Sequence, residues 1–354
     1  MQEERVLKRS GPALALGAAA LFGASMPAAK LVLATTDPWL TAALLYIGAG
    51  IGLAGVQLLR KALRLHPHES PLNARDLPWL ASSVLFGGMI APVLLMLGLA
   101  RTDAANASLL LNLEAVATLG LAWIVFREHV DRRLAAGAAC ILLGAILLSW
   151  RGRLLVDPGA VLVASACLAW GIDNNLTRKV SHVDPTQVAM IKGLVAGSIN
   201  LTLSSLAGAA LPNLGEAAAA GLVGFFGYGL SLSLFVAALR RLGTARTGAY
   251  FSFAPFVGAG LGVTLLGEPV SWTLVAAGLF MATGLYLHLA ESHSHEHAHE
   301  ALDHEHGHVH DDHHQHHHPA GDPPAEQHAH RHRHAPLVHR HSHYPDLHHR
   351  HSHA

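Results

Sequence analysis

Long apolar runs separated by short polar loops make up the first 290 residues of the chain. A helix needs about 20 apolar residues to cross the core of a lipid bilayer. Runs near that length lie at 11–33, 38–59, 77–99, 104–126, 134–150, 158–177, 186–208, 216–239, 247–266 and 270–290. The loops between them contain turn-forming pairs such as Asp37-Pro38 and Asp184-Pro185. The pattern predicts an all-α membrane protein with ten transmembrane helices in a lipid bilayer.

Composition divides the chain into two unlike parts. With 51% hydrophobic and 14% charged residues, it is too apolar for an ordinary soluble domain. Residues 291–354 are polar and hold 24 of the 29 histidines. Cys140 and Cys167 lie in apolar runs without CxxC spacing, which argues against a disulfide or zinc framework. The first apolar run is too long for the core of a cleaved signal peptide.

Lys and Arg are distributed unevenly between the two sets of loops. Fifteen lie on the side of the N-terminus and only three, Arg101, Arg151 and Arg153, lie on the other side. Cytoplasmic loops carry the excess of positive charge in membrane proteins. The bias predicts a multi-pass protein of the inner (plasma) membrane with both termini in the cytoplasm.

The two halves of the apolar region resemble each other. Ala105–Glu128 aligns with Ala245–Glu268 at an offset of 140, and the first span aligns with the sixth at an offset of 148. We therefore expect a cytoplasmic segment 1–10, five-helix repeats at 11–150 and 151–290, and a tail at 291–354. Five is odd, so the second repeat would enter the membrane inverted. Inverted repeats are typical of secondary transporters, which bind a small-molecule substrate near the midplane.

Several short motifs carry a family resemblance. They are Phe22-Gly23 with Lys30, Trp170-Gly171, Phe126-Arg127-Glu128 and Gly267-Glu268-Pro269. Together they resemble the EamA-type members of the drug/metabolite transporter superfamily, from residue 11 to about 290. The resemblance implies two EamA repeats of five helices and transport of a small metabolite, often export. The family usually has proline in the fourth and ninth helices, but this chain has Glu114-Ala115 in the fourth and Ala254-Pro255 in the ninth.

Glu114 is the first candidate functional residue. It lies near the midpoint of the span 104–126, where an ionised side chain costs about 2.5–3.5 kcal/mol. Such a group must face the protein interior or a water-filled cavity. We expect it to couple transport to protons or to bind a cationic substrate. The alternative is a fixed partner that neutralises it and holds helices together.

Further polar and aromatic residues cluster where the sixth span ends and the seventh begins. Asp173 and Lys192 lie at comparable depth, which predicts either a buried ion pair or a group that meets charged substrate or gates the inner mouth. Aromatic residues nearby could line a cavity or simply pack. Lys30, near the end of its span, is expected to reach toward the membrane surface. The candidate substrate- or ion-binding residues are Glu114, Asp173, Asn174, Asn175, Lys192, Trp170 and Tyr250, and Tyr228 is a further possible lining residue.

The tail after residue 290 has almost no apolar residues, so we expect it to be disordered. Neutral imidazole is a ligand for Zn, Ni, Co and Cu, and repeated His-x-His and His-His can supply several ligands to one ion. The candidate metal ligands are His293, His295, His297, His299, His313, His314, His316, His317, His318, His348, His349, His351 and His353. The tail could sequester metal, deliver it for efflux, sense it, or bind it incidentally.

Three functions remain open from the sequence alone. The favoured one is proton- or gradient-driven export of a small metabolite. The alternatives are a Ni, Co or Zn efflux carrier that collects metal on the tail, and a metal-responsive sensor that transports nothing. No nucleophile–base pair, phosphate-binding loop or nucleic-acid motif is present, so we expect no enzyme activity, no required cofactor and no nucleic-acid partner. Gly258 and Gly262 have a spacing that leaves a homodimer open.

Overall fold

The computed structural model describes residues 2–63, 72–126, 130, 132–150, 157–177, 180, 183–242 and 244–289, and the tail segments 293–299, 303–308, 328–333 and 337–343. Up to Leu289 its regular structure is helical. The first repeat contains α1 Gln2–Val32, α2 Pro38–Ala62, α3 Leu77–Ser83, α4 Ala91–Leu99, α5 Ala104–Leu110, α6 Leu113–Phe126 and α7 Arg132–Ser149. The second contains α8 Pro158–Thr177, α9 Pro185–Leu206, α10 Leu214–Gly224, α11 Ser231–Leu242, α12 Thr244–Phe251, α13 Ala254–Leu266 and α14 Trp272–Leu289.

Helix length and composition identify a multi-pass membrane protein. Within the described residues, seven helical stretches are long and apolar enough to cross a membrane, and two shorter ones, 254–266 and 272–288, are apolar. Large apolar side chains such as Ile124 and Leu265 are exposed on the bundle surface. Such a surface is suited to lipid, because hydrocarbon tails solvate apolar side chains and water does not.

Four of the predicted spans contain a local irregularity in their helices. The π turns Val84–Ile90 and Phe225–Leu230 lie inside the third and eighth spans. The fourth span breaks between α5 and α6, and the ninth breaks between α12 and α13. The interruptions occupy equivalent places in the two repeats.

The break in the fourth span forms without proline. The side-chain amide of Asn112 donates to the carbonyl of Leu109 at 2.8 Å. The backbone N–H groups of Asn112 and Glu114 donate to carbonyls only three residues back. A side chain that bonds its own backbone competes with the helical ladder. In the ninth span Pro255, which has no N–H, stands at the start of α13 and has the same effect.

Close glycine contacts recur in equivalent pairs across the two repeats. A Cβ on Gly23 of α1 would overlap the backbone of α13, and a Cβ on Gly171 of α8 would approach Ala117 of α6 at 2.8 Å. Gly23 and Gly171 are the residues matched at an offset of 148. In the same way, Gly137 of α7 contacts Gly284 of α14. The first helix of each repeat therefore packs against the broken helix of the other repeat.

An apolar cluster closes one end of the bundle, where α1 and α4 end and where α2 and α5 begin. Its members are almost fully buried, and they include Met26, Ala29, Ala42, Leu95, Met96, Leu99, Ala105 and Leu109. Because α2 is 25 residues long, its two ends lie about 37 Å apart at 1.5 Å per residue. The other end of α2 is therefore far from this cluster.

The described parts of the tail differ from the predicted disorder. Strand β1 His293–His299 pairs antiparallel with β4 Leu337–His343, and β2 Asp303–His308 pairs with β3 His328–Arg333. The alternation of His with other residues has the period of two that a strand requires. Strands with polar side chains can pair through main-chain hydrogen bonds. A lone two-stranded ladder of this kind is only marginally stable in water.

Candidate functional site

A cavity of about 360 Å³ lies inside the bundle, between its middle and the end where α2 and α8 finish and α9 begins. This volume lies in the range of small-molecule sites. The lining residues are Phe22, Tyr46, Ala49, Leu53, Asp173, Asn174, Thr177, Val180, Val183, Pro185, Val188, Ala189, Lys192, Gly193, Gly227, Tyr228, Ser231, Leu232, Phe235 and Phe251. The apolar cluster separates the cavity from the opposite end of the bundle.

An ion pair forms the charged wall of the cavity. Lys192 Nζ of α9 donates to both carboxylate oxygens of Asp173 on α8, at 2.8 and 2.7 Å. Ser83 Oγ and Thr177 Oγ1 also donate to Asp173 Oδ1, at 2.5 and 3.1 Å. The two charged side chains are only 15% and 8% exposed. A buried charge is tolerated where a partner and further hydrogen bonds replace its lost water, as they do here.

The π turn in the third span supplies a carbonyl acceptor beside this pair. The N–H of Ala91 donates five residues back to Phe86, so the matching donor for Gly87 would be residue 92. That residue is Pro92, which has no N–H. The carbonyl of Gly87 instead accepts the hydroxyl of Tyr46 at 2.8 Å and the indole N–H of Trp170 at 3.1 Å. One carbonyl thus joins α2, the π turn and α8.

Gly87 also leaves room for the carboxylate of the ion pair. A Cβ on Gly87 would overlap Oδ2 and Cγ of Asp173. The overlap involves a side chain held by four hydrogen bonds, so it cannot be relieved by a free rotation. Glycine is therefore required at this position by the packing of α8 against the π turn.

Glu114 lies behind the cavity wall, in the first turn of α6. The break in the span puts a helix N-terminus in the membrane interior, and the positive end of the helix dipole stabilises a negative charge there. Asn174, which lines the cavity, donates to Glu114 Oε1 at 2.9 Å and to Thr118 Oγ1 at 3.1 Å. Asn174 therefore connects the cavity to the buried acid.

Aromatic rings form another part of the cavity wall. Phe22 meets Tyr228 edge to face, with ring centroids 5.8 Å apart, and Tyr46 lies 5.9 Å from Tyr228. Phe251 lies 5.5 Å from Phe22 and 4.8 Å from Phe235. These distances are typical of interacting rings. The cavity thus offers a charged side and an apolar, aromatic side to one small molecule.

The structure places some predicted residues at the cavity and others behind it. Asp173, Asn174 and Lys192 line it. Trp170 and Asn175 instead face packing contacts: Trp170 donates to Gly87, and the Asn175 amide donates to the carbonyls of Thr118 and Gly171. Tyr250 is not among the residues that line this cavity, whereas its neighbour Phe251 is, because successive helical residues point about 100° apart.

Several lining residues were missed by the sequence analysis. Tyr46 and Phe235 carry no signal beyond being aromatic in an apolar helix. Phe22 belongs to the Phe22-Gly23 motif and aligns with Trp170 at the offset of 148, but neither feature identified it as a lining residue. Lys30 reaches the turn that joins α4 to α5, at the end of the bundle where α1 ends. Its ammonium donates to the carbonyls of Leu99 and Thr102, at 2.5 and 2.7 Å.

No metal-binding cluster of three or more His, Cys, Asp or Glu side chains occurs among the described residues. Of the tail histidines predicted as metal ligands, His293, His295, His297 and His299 occupy alternate positions of β1. The remaining ones lie outside the described residues: His313, His314, His316, His317, His318, His348, His349, His351 and His353.

Known proteins resemble this chain over its helical part. An uncharacterized transporter of Methanothermobacter thermautotrophicus is 30% identical over 75% of this chain and 82% of the relative. The uncharacterized inner membrane transporter YedA of Escherichia coli K12 is 26% identical, over 77% of this chain and 90% of the relative. A probable amino-acid metabolite efflux pump of Salmonella typhimurium is 25% identical, over 52% of this chain and 66% of the relative.

A solved crystal structure has the same fold, with a TM-score of 0.55 at 19% identity, over 79% of this chain and 96% of the other. The EamA-like transporter family matches residues 9–150 and 157–290, which include the helices that form the cavity. The first match covers the first half of the bundle, and the second match covers the second half. The chain therefore belongs to the EamA-like transporter family.

Proposed function

We propose that the protein is a secondary transporter that exports a small zwitterionic metabolite with an apolar side chain. The observation that carries the proposal is the cavity, which combines the Asp173–Lys192 pair with an aromatic wall inside a membrane bundle. An ammonium group can exchange onto Asp173 and a carboxylate onto Lys192, while the apolar part contacts the rings. The amino-acid metabolite named for the Salmonella relative is of this chemical class.

The proposed direction of transport depends on the orientation of the protein, with ten spans and both termini in the cytoplasm. Under that orientation, the cavity lies in the cytoplasmic half, because α2, α8 and α11 end there and α9 begins there. The apolar cluster then closes the periplasmic half. This is the arrangement of a carrier ready to take its cargo from the cytoplasm, as alternating access requires.

Glu114 is the proposed coupling group. A carboxylic acid at a helix N-terminus inside the membrane can lose its proton only where charge or dipole supports the anion. Asn174 bonds Glu114 and faces the cavity, so cargo that contacts Asn174 would change the environment of the acid. Proton binding at Glu114 and cargo binding at Asp173 and Lys192 would thereby influence each other.

Transport by purified protein in liposomes tests this function. We expect uptake of radiolabelled L-phenylalanine or L-leucine when the lumen is acidic, because outward proton movement would drive inward movement of cargo. Glu114→Gln should remove the dependence on the pH gradient while leaving exchange of labelled for unlabelled cargo.

Two results would contradict the proposal in different ways. Failure of the wild-type protein to exchange either amino acid would refute the proposed cargo class. Normal pH-driven uptake by Glu114→Gln would refute the coupling role and favour Glu114 as a fixed contact between α6 and α8.

The His-rich tail is proposed as an accessory metal-binding segment and not as the start of a metal pathway. The cavity is lined, among the described residues, by one carboxylate and one ammonium, without His or Cys. Such a lining suits an organic ion better than Zn, Ni, Co or Cu, which prefer imidazole or thiolate ligands. The tail would then regulate the transporter or buffer metal beside it.

Removal of residues 291–354 separates these roles. We expect the truncated protein to lose binding of Zn²⁺ or Ni²⁺, measured by calorimetry, and to retain amino-acid transport. Binding to the full chain should weaken below neutral pH, because protons compete with metal for imidazole. Loss of amino-acid transport on truncation would instead make the tail part of the transport machinery, and loss of cellular nickel or zinc resistance would favour a metal efflux carrier.

A further inference from the structure

Two charged side chains from different repeats form hydrogen bonds to the same short turn, at the end of the bundle that the apolar cluster closes. The turn joins α4 to α5. Lys30, near the end of α1, donates to the carbonyls of Leu99 and Thr102. Glu268, which follows α13, accepts the N–H groups of Ala104 and Ala105 at 2.6 and 2.7 Å. We call these four hydrogen bonds the α4–α5 clamp.

The charges in the clamp match the helix ends that they contact. Lys30 binds where α4 ends, and carbonyl oxygens give a helix C-terminus its partial negative charge. Glu268 binds the first N–H groups of α5, which carry the partial positive charge of a helix N-terminus. Hydrogen bonds of this kind, with one ionised partner, are shorter and stronger than neutral ones.

The clamp spans the boundary between the repeats at the place where the bundle is sealed. Lys30 belongs to the first repeat and Glu268 to the second. The turn that they hold carries Leu99 and Ala105, both members of the apolar cluster that closes this end. The cavity lies toward the other end. Opening the closed end would require the turn to move away from α1 or from α13.

We propose that the α4–α5 clamp is the latch of the gate opposite the cavity. While its four bonds are intact, α1, α13 and the α4–α5 turn stay together and the apolar cluster excludes water. When they break, both charged side chains can be hydrated at the membrane surface, so the open state is accessible. This inference builds on the proposed transport function, since a latch has meaning only for a protein that opens alternately to both sides.

Thiol labelling tests the latch without any cargo. In protein lacking Cys140 and Cys167, Ala42→Cys places a thiol in the apolar cluster, and Ala49→Cys places one in the cavity two turns further along α2. A membrane-impermeant maleimide is applied to sealed vesicles from the side on which α1 ends. Glu268→Gln keeps one acceptor oxygen and should raise the labelling rate of Ala42→Cys about tenfold, the factor for losing one charge-assisted hydrogen bond. Lys30→Met removes both bonds of Lys30 and should raise the rate at least as much. Labelling of Ala49→Cys from the other side should fall.

Matched variants control for general loosening of helix ends. Glu216 also caps a helix N-terminus at this end, where it accepts the N–H of Asn213 at 3.1 Å within its own repeat. Lys61 is an exposed lysine in the last turn of α2. Glu216→Gln and Lys61→Met should leave the labelling rates unchanged.

Unchanged labelling in both clamp variants, with only a lower melting temperature in detergent, would make Lys30 and Glu268 simple helix caps and overturn the latch. Because labelling needs no substrate, this outcome is distinct from failure of amino-acid transport. Normal amino-acid transport with unchanged labelling would refute the latch alone. Absent transport with increased labelling would refute the cargo class alone.

Discussion

Replacing Asp173 with Asn, or Lys192 with Met, should destabilise the protein by about 3–5 kcal/mol, since each change leaves one buried charge without its partner. The two side chains are 8% and 15% exposed, so water cannot readily take the partner's place. The double variant should recover most of that loss, because no unpaired charge remains. Melting temperatures in detergent, measured for the four proteins of the cycle, give the coupling between the two residues.

Transport measurements on the same four proteins distinguish an ion pair that only stabilises the fold from an ion pair that binds cargo. If Asp173 and Lys192 receive the charged groups of the cargo, the double variant should fold well and still fail to exchange labelled L-phenylalanine. Exchange that recovers together with stability would mean that the pair only holds α8 against α9. The exposed Lys61→Met serves as a control for loss of a positive charge at the same end of the bundle.

The sequence could predict the residues whose chemistry is abnormal for a membrane. Glu114, Asp173 and Lys192 are conspicuous because ionisable groups in an apolar run are costly and must have partners or functions. The positions of Asp173 and Lys192 along their spans also predicted that the two side chains lie at the same depth in the membrane. The break that makes the site of Glu114 favourable was missed, because Asn112 achieves with a side-chain hydrogen bond what proline achieves in the other repeat.

The cavity walls could not be predicted in the same way. An aromatic ring in an apolar helix is compatible with lipid, with the core or with a cavity, and the amphipathic period is weak where every face is apolar. Tyr46 and Phe251 line the cavity only because α2 packs between elements of the second repeat and because α12 ends where it does. These are consequences of long-range packing, which one sequence does not encode in a local pattern.

Comparison of equivalent positions shows that the Asp173–Lys192 ion pair belongs to one repeat. At the offset of 148, Asp173 aligns with Ser25, and the Asp37-Pro38 and Asp184-Pro185 pairs align Lys192 with Leu45. Ser25 donates to the carbonyl of Phe22 in its own helix, and Leu45 lies in the apolar cluster. The repeats therefore share a packing plan, while both charges of the cavity ion pair come from the second repeat and the equivalent residues of the first repeat are uncharged.

Gly87→Ala should damage the site, because the new Cβ would overlap the carboxylate that Lys192 binds. Relief requires Asp173 to move away from Lys192, Ser83 and Thr177. Overpacking of this kind costs about 1–3 kcal/mol. We expect a lower melting temperature in detergent and little or no exchange of labelled L-phenylalanine.

Gly120→Ala is the matched control, since a Cβ at Gly120 of α6 meets no atom within 4 Å. Alanine is the better helix former by about 0.8–1.0 kcal/mol, so this variant should be as stable as the wild type or slightly more stable.

The cause of the Gly87→Ala effect can be isolated by adding Asp173→Ala, which removes the carboxylate from the overlap. If the clash with that carboxylate is responsible, Gly87→Ala should cost clearly less in the Asp173→Ala background than in the wild type. An equal cost in both backgrounds would place the damage in the π turn itself, where Tyr46 and Trp170 bond the Gly87 carbonyl.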